Sequence, residues 1–225
     1  MNQIFHPSMN TIARASIFAL GLIAAAIAVG FYFFVQSPYM TQVDVAREQP
    51  VPFSHRHHVD ELGIDCRYCH TSVEDEAFAG IPPTHTCMTC HSQIHTGSEM
   101  LEPVRASYRT GVPLKWTRVH DLSDFVYFNH SIHVNKGIGC ETCHGPVNEM
   151  PLAYKSETMF MAWCLECHRA PEKFIRPQEE IYTFGWDPKD QGELAAESQQ
   201  ALGAELVAEY NIETGRLDDC SICHR

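Results

Sequence analysis

The sequence predicts a mainly helical protein with long loops and little sheet, made of one N-terminal apolar helix and a compact domain. Three observations predict this: residues 15–35 carry no charge, five short motifs of helical spacing follow, and few apolar side chains remain for a core. The net charge of −12 disfavours a nucleic-acid binder, because phosphate contacts require clustered lysine and arginine.

The uncharged N-terminal segment, ASIFALGLIAAAIAVGFYFFV, is long enough to cross a bilayer as a helix. Arg14 precedes it and aromatic residues lie at its far end, as expected at a membrane interface. We therefore predict a cytoplasmic N-terminus at 1–14, a transmembrane helix at 15–35 and a proline-bearing linker at 36–52. A cleaved signal peptide is the alternative, although its apolar stretch is normally shorter.

All ten cysteines belong to five C-x-x-C-H motifs. The cysteines are Cys66, Cys69, Cys87, Cys90, Cys140, Cys143, Cys164, Cys167, Cys220 and Cys223, and the histidines that follow them are His70, His91, His144, His168 and His224. This motif is the signature of c-type haem attachment, in which both thiols bond covalently to one haem. Because residues i, i+3 and i+4 share a helix face, the histidine can bind the iron as its proximal ligand.

The motifs thus predict five c-type haems. Zinc knuckles or disulfides with a trailing histidine are the alternative, but zinc would use the cysteine pairs in twos and five pairs leave one over. Since covalent haem is attached after export, we expect the domain from 53 to 225 on the periplasmic side of the membrane.

An internal repeat organises this domain. The segment FSHRHHVDELGIDCRYCH at 53–70 matches FNHSIHVNKGIGCETCH at 128–144, and a second haem motif follows each copy. The predicted organisation is two dihaem units and a fifth haem, at 53–91, 128–168 and 220–224. Haem is expected to form most of the core, because small domains with few apolar residues need such cofactors for stability.

The stretch between the fourth and fifth motifs, 172–219, contains no haem motif. Its beginning is typical of a loop that could cross a partner surface. Residues 191–209 have the pattern of an amphipathic helix, with Leu194 among its apolar positions. We expect this helix to cover the haem core, with a dedicated docking helix as the alternative.

Five low-spin haems need five distal ligands. In the F-x-H-x-x-H part of each repeat, the two histidines share a helix face and can bind two different haems. The predicted distal ligands are His55, His58, His130 and His133, with His120 as first choice for the fifth. The rivals for the fifth position are Met150, Met159, Met161 and His95. His57 and His85 are discounted, because the second copy has Ile132 and Ala162 there.

The combination of F-x-H-x-x-H with C-x-x-C-H resembles the class III multihaem cytochromes c. More narrowly, the sequence resembles the pentahaem cytochrome subunit of alternative complex III, a bacterial quinol:electron-acceptor oxidoreductase. The matching stretches cover most of residues 50–225 and include AGIPPTHTCMTCHSQI, WTRVHDLSDFVYFNHSIHVNKGIGCETCHGPVNEMP, MAWCLECHR and CSICHR.

The resemblance implies an electron relay anchored in the bacterial inner membrane, with its haem domain in the periplasm. Polytopic membrane subunits and an iron–sulfur subunit would oxidise quinol, and a monohaem cytochrome would pass electrons to a terminal oxidase or soluble carrier. No independent catalysis is expected. Three alternatives stay open: a stand-alone quinol dehydrogenase, a catalytic multihaem reductase, and a scaffold whose haems only stabilise the fold.

Overall fold

The structure is a computed structural model that describes residues 4–191 and 199–224 of the chain. The chain divides into two compact units, Met1–Gln42 and Val43–Arg225. Within the described residues the regular structure is helical, and isolated bridges take the place of a sheet. The mainly helical fold class predicted from the sequence is confirmed.

The first unit consists of a long helix, α1 (Ser8–Gln36), and a short one, α2 (Pro38–Thr41). Helix α1 begins seven residues before the predicted span at 15–35, and none of its side chains is buried. It ends where Ser37 adopts extended backbone, which is the conformation that a residue before proline prefers. The predicted N-terminal apolar helix is therefore present, and α2 lies in the segment predicted as a linker.

The second unit is a series of short helices joined by loops. Its helices are α3 (Cys66–Cys69), α4 (Thr84–His91), α5 (Glu102–Thr110), α6 (His130–Asn135), α7 (Cys140–His144), α8 (Met161–Arg169), α9 (Gln199–Glu209) and α10 (Cys220–Cys223). A π-helix spans Arg56–Glu61, and single 3-10 turns lie at Glu99–Leu101, Val147–Glu149, Pro171–Lys173, Gln178–Glu180, Pro188–Gln191 and Thr214–Arg216.

Side-chain caps begin two of these helices. Asp65 precedes α3 and its carboxylate accepts a hydrogen bond from the Arg67 backbone N–H at 2.8 Å. Asn129 precedes α6, and its side-chain oxygen accepts from the Ile132 N–H at 3.4 Å. Asp and Asn are favoured at this position because they satisfy backbone donors that the first helical turn leaves free.

The apolar core of the second unit consists of two small clusters. The first comprises Val73, Val134 and Ile181 with Cys140 at its edge. The second comprises Ile138, Ile175 and Leu206, with Cys143 and Cys167 packed against it. Because haem-motif cysteines line both clusters, each cluster extends into the space beside a predicted haem.

Helix α9 covers the second cluster. Its residue Gly203 lies so close to the 3-10 turn Pro171–Lys173 that a Cβ atom there would be 1.8 Å from the Glu172 carbonyl oxygen. The predicted amphipathic helix at 191–209 is therefore present from Gln199 onward and packs on the core. Residues 192–198, with Leu194, lie outside the described part of the chain.

Candidate haem-binding sites

Each C-x-x-C-H motif lies on a short helix or at a helix end, which places its two cysteines and its histidine on one turn. We number the motifs sites 1–5 in chain order, with the histidines His70, His91, His144, His168 and His224. At site 1 the His70 N–H donates to the Cys66 carbonyl at 2.8 Å, and at site 5 the His224 N–H donates to the Cys220 carbonyl at 2.9 Å. Backbone hydrogen bonds thus close the turn at both of these sites.

The proximal histidines at three sites are held through Nδ1. His70 Nδ1 lies 2.7 Å from the Gly80 carbonyl, His168 Nδ1 lies 2.7 Å from the Leu217 carbonyl, and His224 Nδ1 lies 3.0 Å from the Phe125 carbonyl. A carbonyl can only accept, so Nδ1 is the donor in each of these contacts. This is the arrangement in which a protein orients a metal-binding imidazole.

The predicted distal histidines are held in the same way in both repeats. His58 Nδ1 lies 2.8 Å from the Ser54 carbonyl, and the equivalent His133 Nδ1 lies 2.7 Å from the Asn129 carbonyl. His130 Nδ1 lies 3.0 Å from the Ala77 carbonyl. The Nε2 atoms of all three are therefore available to a metal.

A phenylalanine orients the histidines of each repeat. Phe53 stacks on His58 with ring centres 4.4 Å apart and meets His55 edge-on at 5.0 Å. In the second repeat Phe128 stacks on its second histidine at 4.5 Å and meets the first edge-on at 4.8 Å. The sequence repeat aligns the two phenylalanines but does not indicate what they do. The structure shows that each one packs against both histidines of its own repeat.

Three histidine pairs have the separation expected across one iron. An imidazole nitrogen binds a transition metal at about 2 Å, so two imidazoles on opposite sides of one iron have ring centres about 6 Å apart. The observed ring separations are 6.2 Å for His58–His91, 6.2 Å for His133–His168 and 6.4 Å for His130–His144. Sites 2, 4 and 3 thus each have a distal histidine at the right distance.

Buried histidines around sites 1 and 3 are neutral. Burial is the main cause that lowers the pKa of His144 to about 3 and the pKa values of His55 and His120 to about 4. After burial, His70 and then His58 lower the pKa of His55 further. Neutral imidazole is the form that binds iron, so these groups fit a haem ligand role.

His120 lies too close to His144 to share its iron. Their ring centres are 4.2 Å apart at an interplanar angle of 68°, well short of the separation across one metal. His120 Nε2 is nevertheless buried without a hydrogen-bond partner. A buried nitrogen lone pair of this kind normally has a partner, and a haem iron other than that of site 3 would supply one.

The rival ligands and the discounted histidines have different surroundings. The ring of His95 lies 6.1 Å from that of His91, so it competes with His58 at site 2, but the second repeat has no counterpart to it. Met150 is 1% exposed and Met161 is 62% exposed, while Met159 has a backbone φ of 55°. His57 is exposed and contacts Glu61 at 2.8 Å, which fits its exclusion as a ligand.

The cysteines do not form a metal cluster. In the described part of the chain, no group of three or more His, Cys, Asp or Glu side chains is arranged to hold a metal ion. Burial raises the pKa of Cys143 to about 12 and the pKa of Cys167 to about 11, so both thiols are protonated at neutral pH. The zinc alternative therefore has no arranged set of ligands among the described residues.

A cavity of about 290 Å³ lies at site 4. Both histidines of the site, His133 and His168, line it together with Cys167, and apolar residues such as Ile175 and Ile222 form much of its wall. An apolar cavity bounded by a cysteine and by two histidines at the separation of trans ligands fits a haem.

Site 3 carries a buried ion pair that the sequence did not predict. Arg176 is 7% exposed and donates to the Glu141 carboxylate at 2.8 Å. Glu141 is the residue after Cys140, and its other oxygen accepts from the Gly185 N–H at 2.7 Å. Gly139 makes room for the guanidinium, because a Cβ there would lie 2.6 Å from the guanidinium carbon. The pair is 35 residues apart in sequence, and no motif signals it.

Comparison with known proteins agrees with these features. Residues 126–225, which contain sites 3–5, match the family described as cytochrome c7 and related cytochrome c. The chain is also 32% identical over 176 residues to the "Menaquinone reductase, multiheme cytochrome c subunit" of Nitratidesulfovibrio vulgaris (strain Hildenborough). That alignment covers 68% of this chain and 80% of the relative.

The helical fold and the haem-attachment motifs define a multihaem c-type cytochrome with covalently bound haem. Within that class, the chain belongs to the family of the menaquinone reductase multihaem cytochrome c subunit. The predicted resemblance to multihaem cytochromes is confirmed at this level.

Proposed function

We propose that this chain is the electron-transfer subunit of a membrane respiratory complex that exchanges electrons with the quinone pool. The observation that carries the proposal is the set of three histidine pairs with ring separations of 6.2–6.4 Å. Two strong axial ligands leave no position on the iron for a substrate, so each haem would supply only one-electron exchange. This disfavours the catalytic multihaem reductase.

We further propose that all five motifs bind haem. The duplicated geometry supports His58, His130 and His133 as distal ligands of sites 2, 3 and 4. His55 is the counterpart of His130 in the first repeat, and this alignment supports His55 at site 1. His120 remains the first choice for the fifth position, because its buried Nε2 has no hydrogen-bond partner.

The placement in the membrane is also part of the proposal. Helix α1 is apolar and has no buried side chain, and an apolar surface on all sides of a helix needs apolar surroundings. A signal sequence near the N-terminus has the same properties. We propose an uncleaved anchor in the bacterial inner membrane at 15–35, a linker at 36–52, and a haem domain at 53–225 on the periplasmic side.

Two kinds of complex are candidates. The sequence resemblance favours alternative complex III, with polytopic quinol-binding subunits, an iron–sulfur subunit and a monohaem cytochrome as partners. The 32% identical relative favours a menaquinone reductase, in which electrons would flow toward the quinone. The purified native complex distinguishes them: the first predicts reduction of a cytochrome by added quinol, and the second predicts reduction of added menaquinone by a reduced cytochrome.

The haem proposal is tested on the purified chain with its haems attached. The pyridine haemochrome spectrum should give five haems per chain, and low-temperature EPR should show only low-spin signals. Carbon monoxide should leave the absorbance of the reduced protein unchanged, and a carbon monoxide complex would contradict the fully ligated relay. A chain that oxidises quinol when purified alone would instead support the stand-alone quinol dehydrogenase.

The fifth ligand is tested with His120→Ala. One low-spin EPR signal should become high-spin or change its g values, while the matched control His57→Ala should leave every signal unchanged. If the spectrum of His120→Ala matches that of the wild type, another residue holds the fifth position. Met150→Ala, Met159→Ala, Met161→Ala and His95→Ala then identify it by the same change.

A further inference from the structure

We infer that the five haem-attachment sites lie in a single row in the order 2, 1, 3, 4, 5, so that their spatial order differs from their order in the chain. The inference rests on the proposed function, since it concerns haems held at all five motifs. It is drawn from direct contacts between the attachment segments of each successive pair.

Sites 2 and 1 touch through residues that lie inside their motifs. Tyr68, between the two cysteines of site 1, has its hydroxyl 2.8 Å from the Thr89 hydroxyl. Thr89 lies between the two cysteines of site 2. The two attachment turns are therefore direct neighbours.

Sites 1 and 3 share a loop. The loop 77–80 accepts a hydrogen bond from His70 of site 1 at Gly80 and one from His130, the distal histidine of site 3, at Ala77. The backbone N–H of His130 also donates to the Ala77 carbonyl, at 3.1 Å. The two repeats thus meet through their first sites.

Sites 3 and 4 border the same apolar cluster. Cys143 of site 3 and Cys167 of site 4 both pack against the cluster of Ile138, Ile175 and Leu206. In addition, helix α6 carries both His130, whose ring lies 6.4 Å from that of His144, and His133, whose ring lies 6.2 Å from that of His168. The second site of the second repeat therefore follows its first site in the row.

Sites 4 and 5 are joined by the C-terminal segment. His168 of site 4 is held by the Leu217 carbonyl, and Arg169 lies 3.4 Å from Asp218, just before the site 5 helix α10. Ile222, between the two cysteines of site 5, lines the site 4 cavity. Site 5 is therefore next to site 4.

In this row the first site of one repeat is next to the first site of the other repeat. The first repeat contributes sites 2 and 1, the second contributes sites 3 and 4, and site 5 extends the second repeat. Sites 2 and 5 are the two ends, so redox partners that approach the ends of the row would meet those two sites. An order that followed the chain would instead make site 1 an end and would place site 2 between sites 1 and 3.

The two orders differ in how many neighbours site 2 has. Replacing His58 with Met changes the potential and the EPR signature of site 2, and His133→Met is the matched change at site 4. The charge on one haem alters the reduction potential of its nearest neighbours. Each variant should therefore shift the potentials of the haems that lie next to the altered site. EPR-monitored redox titration should show one other component shifted in His58→Met and two others shifted in His133→Met.

Two shifted neighbours in His58→Met would overturn the proposed row, because that result places site 2 in its interior. Should a ligand variant lose its haem, removal of site 5 by Cys220→Ala with Cys223→Ala provides a second test. That variant should shift only the component that His133→Met modifies. A shift of any other component would equally overturn the row.

The same protein samples separate this inference from the proposed function. Fewer than five haems in the wild-type pyridine haemochrome spectrum, or a high-spin wild-type signal, contradicts the proposed function. Five low-spin haems with the wrong neighbour pattern contradict only the order of the sites.

Discussion

The buried pair Arg176–Glu141 makes a quantitative prediction about site 3. Arg176→Met removes the hydrogen bond to the Glu141 carboxylate at 2.8 Å and the one to the Thr183 carbonyl at 2.9 Å. The carboxylate stays largely buried, at 22% exposure, with the Gly185 N–H as its remaining donor. Leaving one member of a buried ion pair without its partner costs about 3–5 kcal/mol, so we expect a loss of that size in the free energy of unfolding.

The assay is guanidinium-induced unfolding of the haem-loaded protein, followed by far-UV circular dichroism. The matched control is Arg216→Met, which removes an exposed ion pair with Asp219 and should cost under about 1 kcal/mol. Adding Glu141→Gln to Arg176→Met removes the unpaired charge and should restore part of the lost stability. Equal losses in Arg176→Met and in Arg216→Met would refute the reasoning.

The same pair predicts opposite shifts in the reduction potential of site 3. Arg176→Met leaves a negative charge one residue from Cys140 and should lower the potential, because reduction adds negative charge. Glu141→Gln leaves a positive charge and should raise it. Redox titration of the two single variants measures both, and shifts in the same direction would show that the pair acts only through structure.

Three further predictions concern packing and hydrogen bonds. Gly203→Ala would place a Cβ against the Glu172 carbonyl and should cost about 3 kcal/mol or more, whereas Gly97→Ala, which meets nothing within 4 Å, should change stability by under about 0.5 kcal/mol. Tyr182→Phe removes a hydrogen bond of 2.8 Å to a glutamate and should cost about 1.5 kcal/mol, measured by the same unfolding assay. Asp65→Ala removes the cap of α3 and should cost about 1 kcal/mol at pH 7. The side-chain hydrogen bond from Arg67 lowers the pKa of Asp65, so its contribution is present above the ordinary carboxyl pKa and is lost as the pH falls through the lowered value. The cost of Asp65→Ala should therefore be smaller at pH 2, and an equal cost at both pH values would contradict this.

The local features of the sites could be predicted because their signals are local in sequence. The motif spacing fixes a helical turn, and the repeat identified the histidine positions that the structure brings to within 6.4 Å of their proximal partners. Helix α1 extends seven residues before the predicted span, because a charged residue such as Arg14 does not end a helix.

The features that the sequence did not indicate depend on contacts between distant segments. The contact of Tyr68 with Thr89 joins two motifs through hydroxyl groups that have no spacing rule. The buried position of Arg176 depends on Gly139, whose missing side chain leaves room for the guanidinium. The π-helix Arg56–Glu61 likewise departs from its counterpart α6, although the two segments are aligned by the repeat.

The loop 77–80 has a consequence for how the domain is assembled. It belongs to the first repeat, yet it holds one histidine from each repeat through Gly80 and Ala77. The second repeat therefore cannot complete the hydrogen bond of His130 when expressed alone, although it contains two full haem motifs. A single proteolytic cut in the connection between the two repeats should leave the two fragments associated, and the first half must already be present before His130 of the second half can be held in place.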